Sequence, residues 1–115
     1  MERSGNLLLA YYGDDFTGST DALEFLNRAG LKTILFIEPP GPEQLKRYEG
    51  LNAIGVAGMS RSMEPSEMEG ELTTAFSSLA RSGARHIHYK VCSTFDSSPT
   101  IGSIGNAIDI GTEIF

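Results

Sequence analysis

Short apolar runs alternating with helix-period segments predict an α/β fold, an open, mostly parallel, Rossmann-like sheet with flanking helices. Three observations carry this. The run Leu7-Leu8-Leu9-Ala10-Tyr11-Tyr12 is apolar without interruption, as a strand buried on both faces requires. Three further strand-like runs follow it, with helical segments between them. No repeat, low-complexity tract or interdomain linker breaks the order, and 115 residues with 40% hydrophobic and 21% charged content fit one core.

The elements follow in sequence. The first run closes at Gly13 and two acids and reads as a central strand. From Thr20 to Ala29, the residues Ala22, Leu23, Leu26 and Ala29 fall on one helical face, with Thr17, Ser19 or Thr20 as N-cap and Gly30 just past the end. Thr33-Ile34-Leu35-Phe36-Ile37 is a second strand, stopped by Pro39-Pro40-Gly41-Pro42, and a short helix over Glu43 to Tyr48 comes next. Ala53-Ile54-Gly55-Val56-Ala57 is a third strand, leading through Gly58 into the polar loop Met59-Ser60-Arg61-Ser62. Pro65 suits the first turn of a helix that runs to about Arg81, buries Met68, Leu72, Ala75, Phe76 and Leu79, and stops at Gly83. Ile87, Tyr89 and Val91 alternate with His86, His88 and Lys90 in a fourth strand nearer an edge than the first. The small polar residues 93–100 then lead through Ile101-Gly102-Ser103-Ile104-Gly105 into a helix through Ile110.

Composition narrows the function classes. A formal charge of −6 and a pI near 4.8, with no local basic patch, argue against a nucleic-acid partner. The lone Cys92 cannot close an internal disulfide, which suits a cytoplasmic setting, and no apolar run approaches the length of a membrane span. His86 and His88 share a strand face, yet no third ligand is in register, so they read as partly buried histidines and no metal site is expected. Cys92 reads as a small buried spacer.

In a parallel open sheet, ligands gather at the carboxyl ends of the strands. Three loops there carry chemistry: Gly13-Asp14-Asp15-Phe16-Thr17-Gly18-Ser19 after the first strand, Ser60-Arg61-Ser62 after the third, and the segment from Lys90 through Cys92-Ser93-Thr94 after the fourth. Adjacent carboxylates can accept substrate hydroxyls, hold a cation or make one of the pair a base, although Asp15 can equally cap the following helix. Arg61 and Lys90 can grip a carboxylate or a phosphate, the first as a fork and the second as a point charge; a solvated role is open to both. Ser93, Thr94, Ser97 and Ser98 precede a helix and could cradle an anion or simply connect.

Taken together, Tyr12-Gly13-Asp14-Asp15-Phe16-Thr17-Gly18-Ser19-Thr20-Asp21, the Ser60-Arg61 pair, and Tyr89-Lys90-Val91-Cys92-Ser93-Thr94 with the Gly102 to Gly105 stretch resemble the N-terminal domain of the four-carbon acid sugar kinases. The resemblance implies a two-domain enzyme that moves the ATP γ-phosphoryl group onto a hydroxyl of a small sugar acid such as a threonate or erythronate. Its N-terminal domain holds the sugar acid, and a C-terminal domain holds most of the ATP and the accompanying Mg2+. Asp14 and Asp15 would then bind substrate hydroxyls and supply the base, Arg61 and Lys90 would neutralise the carboxylate or the moving phosphoryl group, and Thr17, Ser60, Ser93 and Thr94 would add substrate contacts. Two departures stand out: Cys92 occupies the place of an acid, and residues 95–100 replace an Arg-Gly-Asn stretch, so the substrate is expected to differ from that of the main branch.

Residues 1–115 are accordingly expected to be the N-terminal part of the sugar-acid-binding domain, truncated before the nucleotide-binding domain. Without a Walker-type loop the chain alone is expected to be inactive, and the apolar edge of a half-finished sheet is expected to make copies associate. The alternatives are a non-catalytic ligand-binding fragment and a receiver-like signalling domain. The receiver needs an acceptor aspartate after its third strand, where Met59-Ser60-Arg61 stands; a haloacid-dehalogenase-like phosphatase needs its two acids one residue apart, whereas Asp14 and Asp15 are adjacent.

Overall fold

The computed structural model describes residues 7–48, 50–90 and 104–115. The first apolar run forms β1 (Leu9–Gly13), which pairs in parallel with β3 (Ala53–Ala57) on one side and β4 (His86–Lys90) on the other, while β2 (Thr33–Phe36) pairs in parallel with β3. The sheet order is β2-β3-β1-β4, so β1 is central, as its uninterrupted apolar run requires. The helices are α1 (Phe16–Arg28), the short α2 (Pro42–Leu45), α3 (Pro65–Arg81) and α4 (Ile104–Ile114), with a 3-10 turn at Ser60–Ser62.

Two neighbouring tyrosines show how the layers are arranged. Successive side chains on a strand point to opposite faces. Tyr11 donates to the Ser19 carbonyl of α1 at 2.9 Å, and Tyr12 donates to Glu71 Oε2 of α3, also at 2.9 Å. Hence α1 covers one face of the sheet and α3, with α4 beside it, the other. The principal core lies on the α3 face, where Ala10, Tyr12, Ile54 and Val56 meet Met68, Leu72, Ala75, Phe76 and Leu79. The α3 residues are those the sequence periodicity selects. Pro65 opens the helix, the Glu67 carboxylate accepts from the Glu64 N–H at 3.0 Å, and Gly83 leaves it at φ 81°.

Three expectations change. Helix α1 starts a turn earlier than predicted, and its cap is Asp15, a role the sequence leaves open to it, rather than Thr17, Ser19 or Thr20. The Asp15 backbone is extended, and its Oδ1 accepts from the Gly18 N–H at 3.0 Å. A Cβ at position 18 would stand 2.6 Å from that oxygen, so glycine is what lets the carboxylate reach the helix end. Ala29 is exposed, because only part of the α1 face meets the sheet. His86 and His88 are exposed rather than partly buried; among the described residues α1 lies mainly over β1, β2 and β3.

Candidate functional site

From β1 the chain turns back through α1 towards β2, and from β3 it crosses the other face through α3 to β4. The two connections diverge between neighbouring strands, so a crevice opens between the carboxyl ends of β1 and β3, where this architecture places ligands. A cleft of about 540 Å³ occupies that position. Asp14, Asp15 and Phe16 line it from the β1 loop, Gly58, Met59, Ser62 and Met63 from the β3 loop, and Glu71 from α3. Backbone bonds fix both lips: Gly58 N–H donates to the Gly13 carbonyl and Asp14 N–H to the Lys90 carbonyl, each at 2.9 Å.

The structure separates the two aspartates. Asp14 is 1% exposed at the floor of the cleft, whereas Asp15 is half-buried at its rim with one carboxylate oxygen engaged by the Gly18 N–H. Gly13 and Ser19 permit this close turn. A side chain at position 13 would run into Ser19, whose buried hydroxyl donates back to the Asp15 carbonyl at 2.7 Å. Asp15 therefore combines the two roles left open by the sequence, a helix cap and a cleft wall.

Ser60 is fully buried beneath the cleft and shares a 2.6 Å hydrogen bond with the Tyr89 hydroxyl. It anchors the 3-10 turn and does not line the cleft. Arg61 lies in that turn between Ser60 and the cleft-lining Ser62; its side chain lies outside the described residues. Lys90 ends β4 and lines an adjoining hollow between α1 and β4. Its ammonium comes near enough to Gly18 to stand 3.6 Å from a Cβ built there, on the same corner as Asp15. Thr17 is exposed on the first turn of α1, where its carbonyl accepts from Thr20. Ser93 and Thr94 lie outside the described residues.

Sequence reasoning missed Tyr12, Tyr89 and Glu71. Tyr12 and Tyr89 are paired in register on β1 and β4 and stack with centroids 5.5 Å apart and planes 13° apart. Burial pushes both hydroxyls up, Tyr89 to about 12; the Glu71 charge adds to the effect at Tyr12 and the Asp14 charge to that at Tyr89, so both stay protonated at neutral pH. The signal for Glu71 was its position, three residues after Met68 and four before Ala75, which sets an acid beside the apolar stripe of α3.

Among the described lining residues the charged groups are Asp14, Asp15, Glu38 and Glu71, all carboxylates. Such walls accept hydrogen bonds from hydroxyls, and an anionic ligand would need cations from the rim. The model of a family described as a sugar-binding N-terminal domain matches residues 9–115. The chain belongs to this sugar-binding family, the N-terminal domain of the four-carbon acid sugar kinases. It is 56% identical over 105 residues to a 3-oxo-isoapionate kinase of Paraburkholderia graminis, covering 91% of this chain and 22% of that one. With a 3-oxo-tetronate kinase of Methylobacterium radiotolerans it shares 38% identity over 104 residues, 90% of this chain and 24% of the other. A solved structure from Salmonella typhimurium LT2, described as a tRNA synthase, superposes with a TM-score of 0.73 at 31% identity, over 89% of this chain and 24% of that one. The sugar-binding chain thus spans about a quarter of the length of the relatives it matches. None of its described helices is long and apolar enough to cross a membrane.

Proposed function

We propose that this chain is the substrate-holding part of an ATP-dependent kinase that phosphorylates a hydroxyl of a 3-oxo sugar acid of the isoapionate or tetronate type. The observation that carries the reading is the buried Asp14 carboxylate at the floor of a cleft at the β1 and β3 switch point. The 56% identity to the 3-oxo-isoapionate kinase supports the branch. Asp14 accepts a substrate hydroxyl and is the candidate base. Asp15, oriented by its cap, accepts a second hydroxyl at the rim. Arg61 and Lys90 neutralise the acid group or the moving phosphoryl group, and Thr17, Ser93 and Thr94 add hydroxyl contacts. Ser60 serves by holding the turn that carries Arg61.

Phosphoryl transfer demands positioning and charge neutralisation more than covalent help from the protein. Among the described residues no three His, Cys, Asp or Glu side chains gather as a metal set. Mg2+ commonly takes only one or two protein carboxylates beside water and phosphate, and in this reading ATP and its metal are held mainly by a nucleotide-binding domain outside the described residues. The cytoplasmic ATP pool would serve this reaction.

Calorimetry and thermal shift of the 115-residue chain with threonates, erythronates and 3-oxo-isoapionate test the reading. Saturable heat and a raised Tm with at least one acid, both abolished by Asp14→Asn, are expected. A folded chain that responds to none of them sinks it. Grafting residues 9–115 into the Paraburkholderia kinase in place of its own matching segment should retain ATP-dependent turnover of 3-oxo-isoapionate, with Asp14→Asn lowering kcat/KM at least a hundredfold.

A further inference from the structure

We infer that Glu71 is a further substrate-binding residue of this cleft, reading one hydroxyl of the sugar acid, and that Tyr12 is the residue that positions it. The inference rests on the proposed sugar-acid site and adds a reader to it. Glu71 lines the same cleft as Asp14 but comes from α3, on the opposite wall from Asp15 and Phe16. Its Oε2 accepts the Tyr12 hydroxyl at 2.9 Å. Tyr12 is fully buried, stacks on Tyr89 and meets Phe76 edge-on with centroids 5.9 Å apart, so its hydroxyl is a fixed point. Burial first and the Glu71 charge second keep that hydroxyl protonated.

A long, flexible glutamate would ordinarily lose side-chain entropy on binding a ligand. Here the hydrogen bond from Tyr12 has already ordered it. One carboxylate oxygen is committed, and the carboxylate retains acceptor capacity for a substrate hydroxyl. The backbone makes room for the arrangement. A Cβ at position 58 would run into the Tyr12 hydroxyl, so the glycine that follows β3 and tethers it to Gly13 also keeps the tyrosine in reach of Glu71. A carboxylate held only to satisfy a buried tyrosine would not need to lie on the cleft wall.

The test uses the grafted kinase described above and the 115-residue chain, each as wild type, Glu71→Gln, Tyr12→Phe and Asp14→Asn, with circular dichroism confirming folded protein. The probes are threonate and erythronate together with 2-deoxy, 3-deoxy and 4-deoxy tetronates. Glu71→Gln keeps an acceptor for Tyr12 and removes the charge. It is expected to weaken binding of the fully hydroxylated acid, or raise its KM, about tenfold, and to leave unchanged the binding of the one deoxy acid that lacks the hydroxyl it reads. Tyr12→Phe is expected to give a smaller loss, about threefold, with the same deoxy acid exempt. Equal weakening of every probe by Glu71→Gln, or none, overturns the inference and assigns Glu71 to holding Tyr12 alone. Absence of binding of these probes and of 3-oxo-isoapionate in the folded wild type would instead bring down the proposed function itself.

Discussion

The two faces of the sheet are built differently. Towards α3, every second strand residue enters a continuous apolar core, and the helix answers with Met68, Leu72, Ala75, Phe76 and Leu79. Towards α1, the buried helix residues are the small Gly18 and Ser19, while Leu23 and Leu26 are half-buried and Phe25 is 71% exposed. On that face Tyr11 lies across Gly55, where a Cβ would strike its ring. The lesson is a division of labour. The α3 face supplies most of the stabilising burial, and the α1 face supplies the tight turn that places Asp14 and Asp15 at the cleft.

The largest test of that division is a pair of truncations. Leu72→Ala empties a fully buried site on α3 and is expected to cost about 3 kcal/mol, whereas Phe25→Ala on the exposed side of α1 should cost less than about 0.5 kcal/mol. Urea unfolding followed by circular dichroism reads both. Similar losses at the two sites would mean that the α1 face is as densely packed as the other.

A sharper question is what holds α1 in place if burial contributes little. Its N-terminus depends on the Asp15 carboxylate bonded to the Gly18 N–H, so Asp15→Ala should lose about 1 kcal/mol and Asp15→Ser much less. Sugar-acid affinity separates the roles. Asp15→Ser restores the cap without restoring the charge, and a variant that is stable yet binds weakly would show that Asp15 also contacts the ligand. Full recovery of both would leave it a cap only.

This contrast also explains which parts were legible in the sequence. The uninterrupted run before Gly13 and the five apolar positions of α3 announce their burial by pattern alone, and both the central strand and the span of α3 follow from them. The start of α1 is left open because Asp15 and three hydroxyl residues compete as caps, and only the extended backbone at Asp15 decides among them. The aspartate pair and Ser60-Arg61 carry a local signature as charged and polar residues at strand ends; the structure brings both aspartates to the cleft and buries Ser60 beneath it. Tyr12, Tyr89 and Glu71 carry no such signature, because their roles depend on β1 and β4 being neighbours in register and on α3 crossing above them. Nothing in a local window encodes those contacts.

The smallest effect at neutral pH appears only in alkali, and it compares the faces through one tyrosine on each. Burial raises both Tyr11, under α1, and Tyr89, on the α3 side, to about 12, with the Asp14 charge adding to Tyr89 and its bond to Ser60 opposing. In the unfolded chain both titrate near pH 10. Between about 10 and 12 the unfolded state therefore releases protons that the folded state still holds, and stability falls as pH rises through that window. Below it neither tyrosine affects the slope. Tyr11→Phe and Tyr89→Phe should each flatten the alkaline decline in urea-unfolding free energy while leaving the slope at pH 7 unchanged. Tyr89→Phe also releases Ser60, so it should in addition weaken sugar-acid binding, whereas Tyr11→Phe, which loses the bond to the Ser19 carbonyl of α1, should not. Equal effects of the two on binding would show that the α1 face shapes the cleft as directly as the α3 face does.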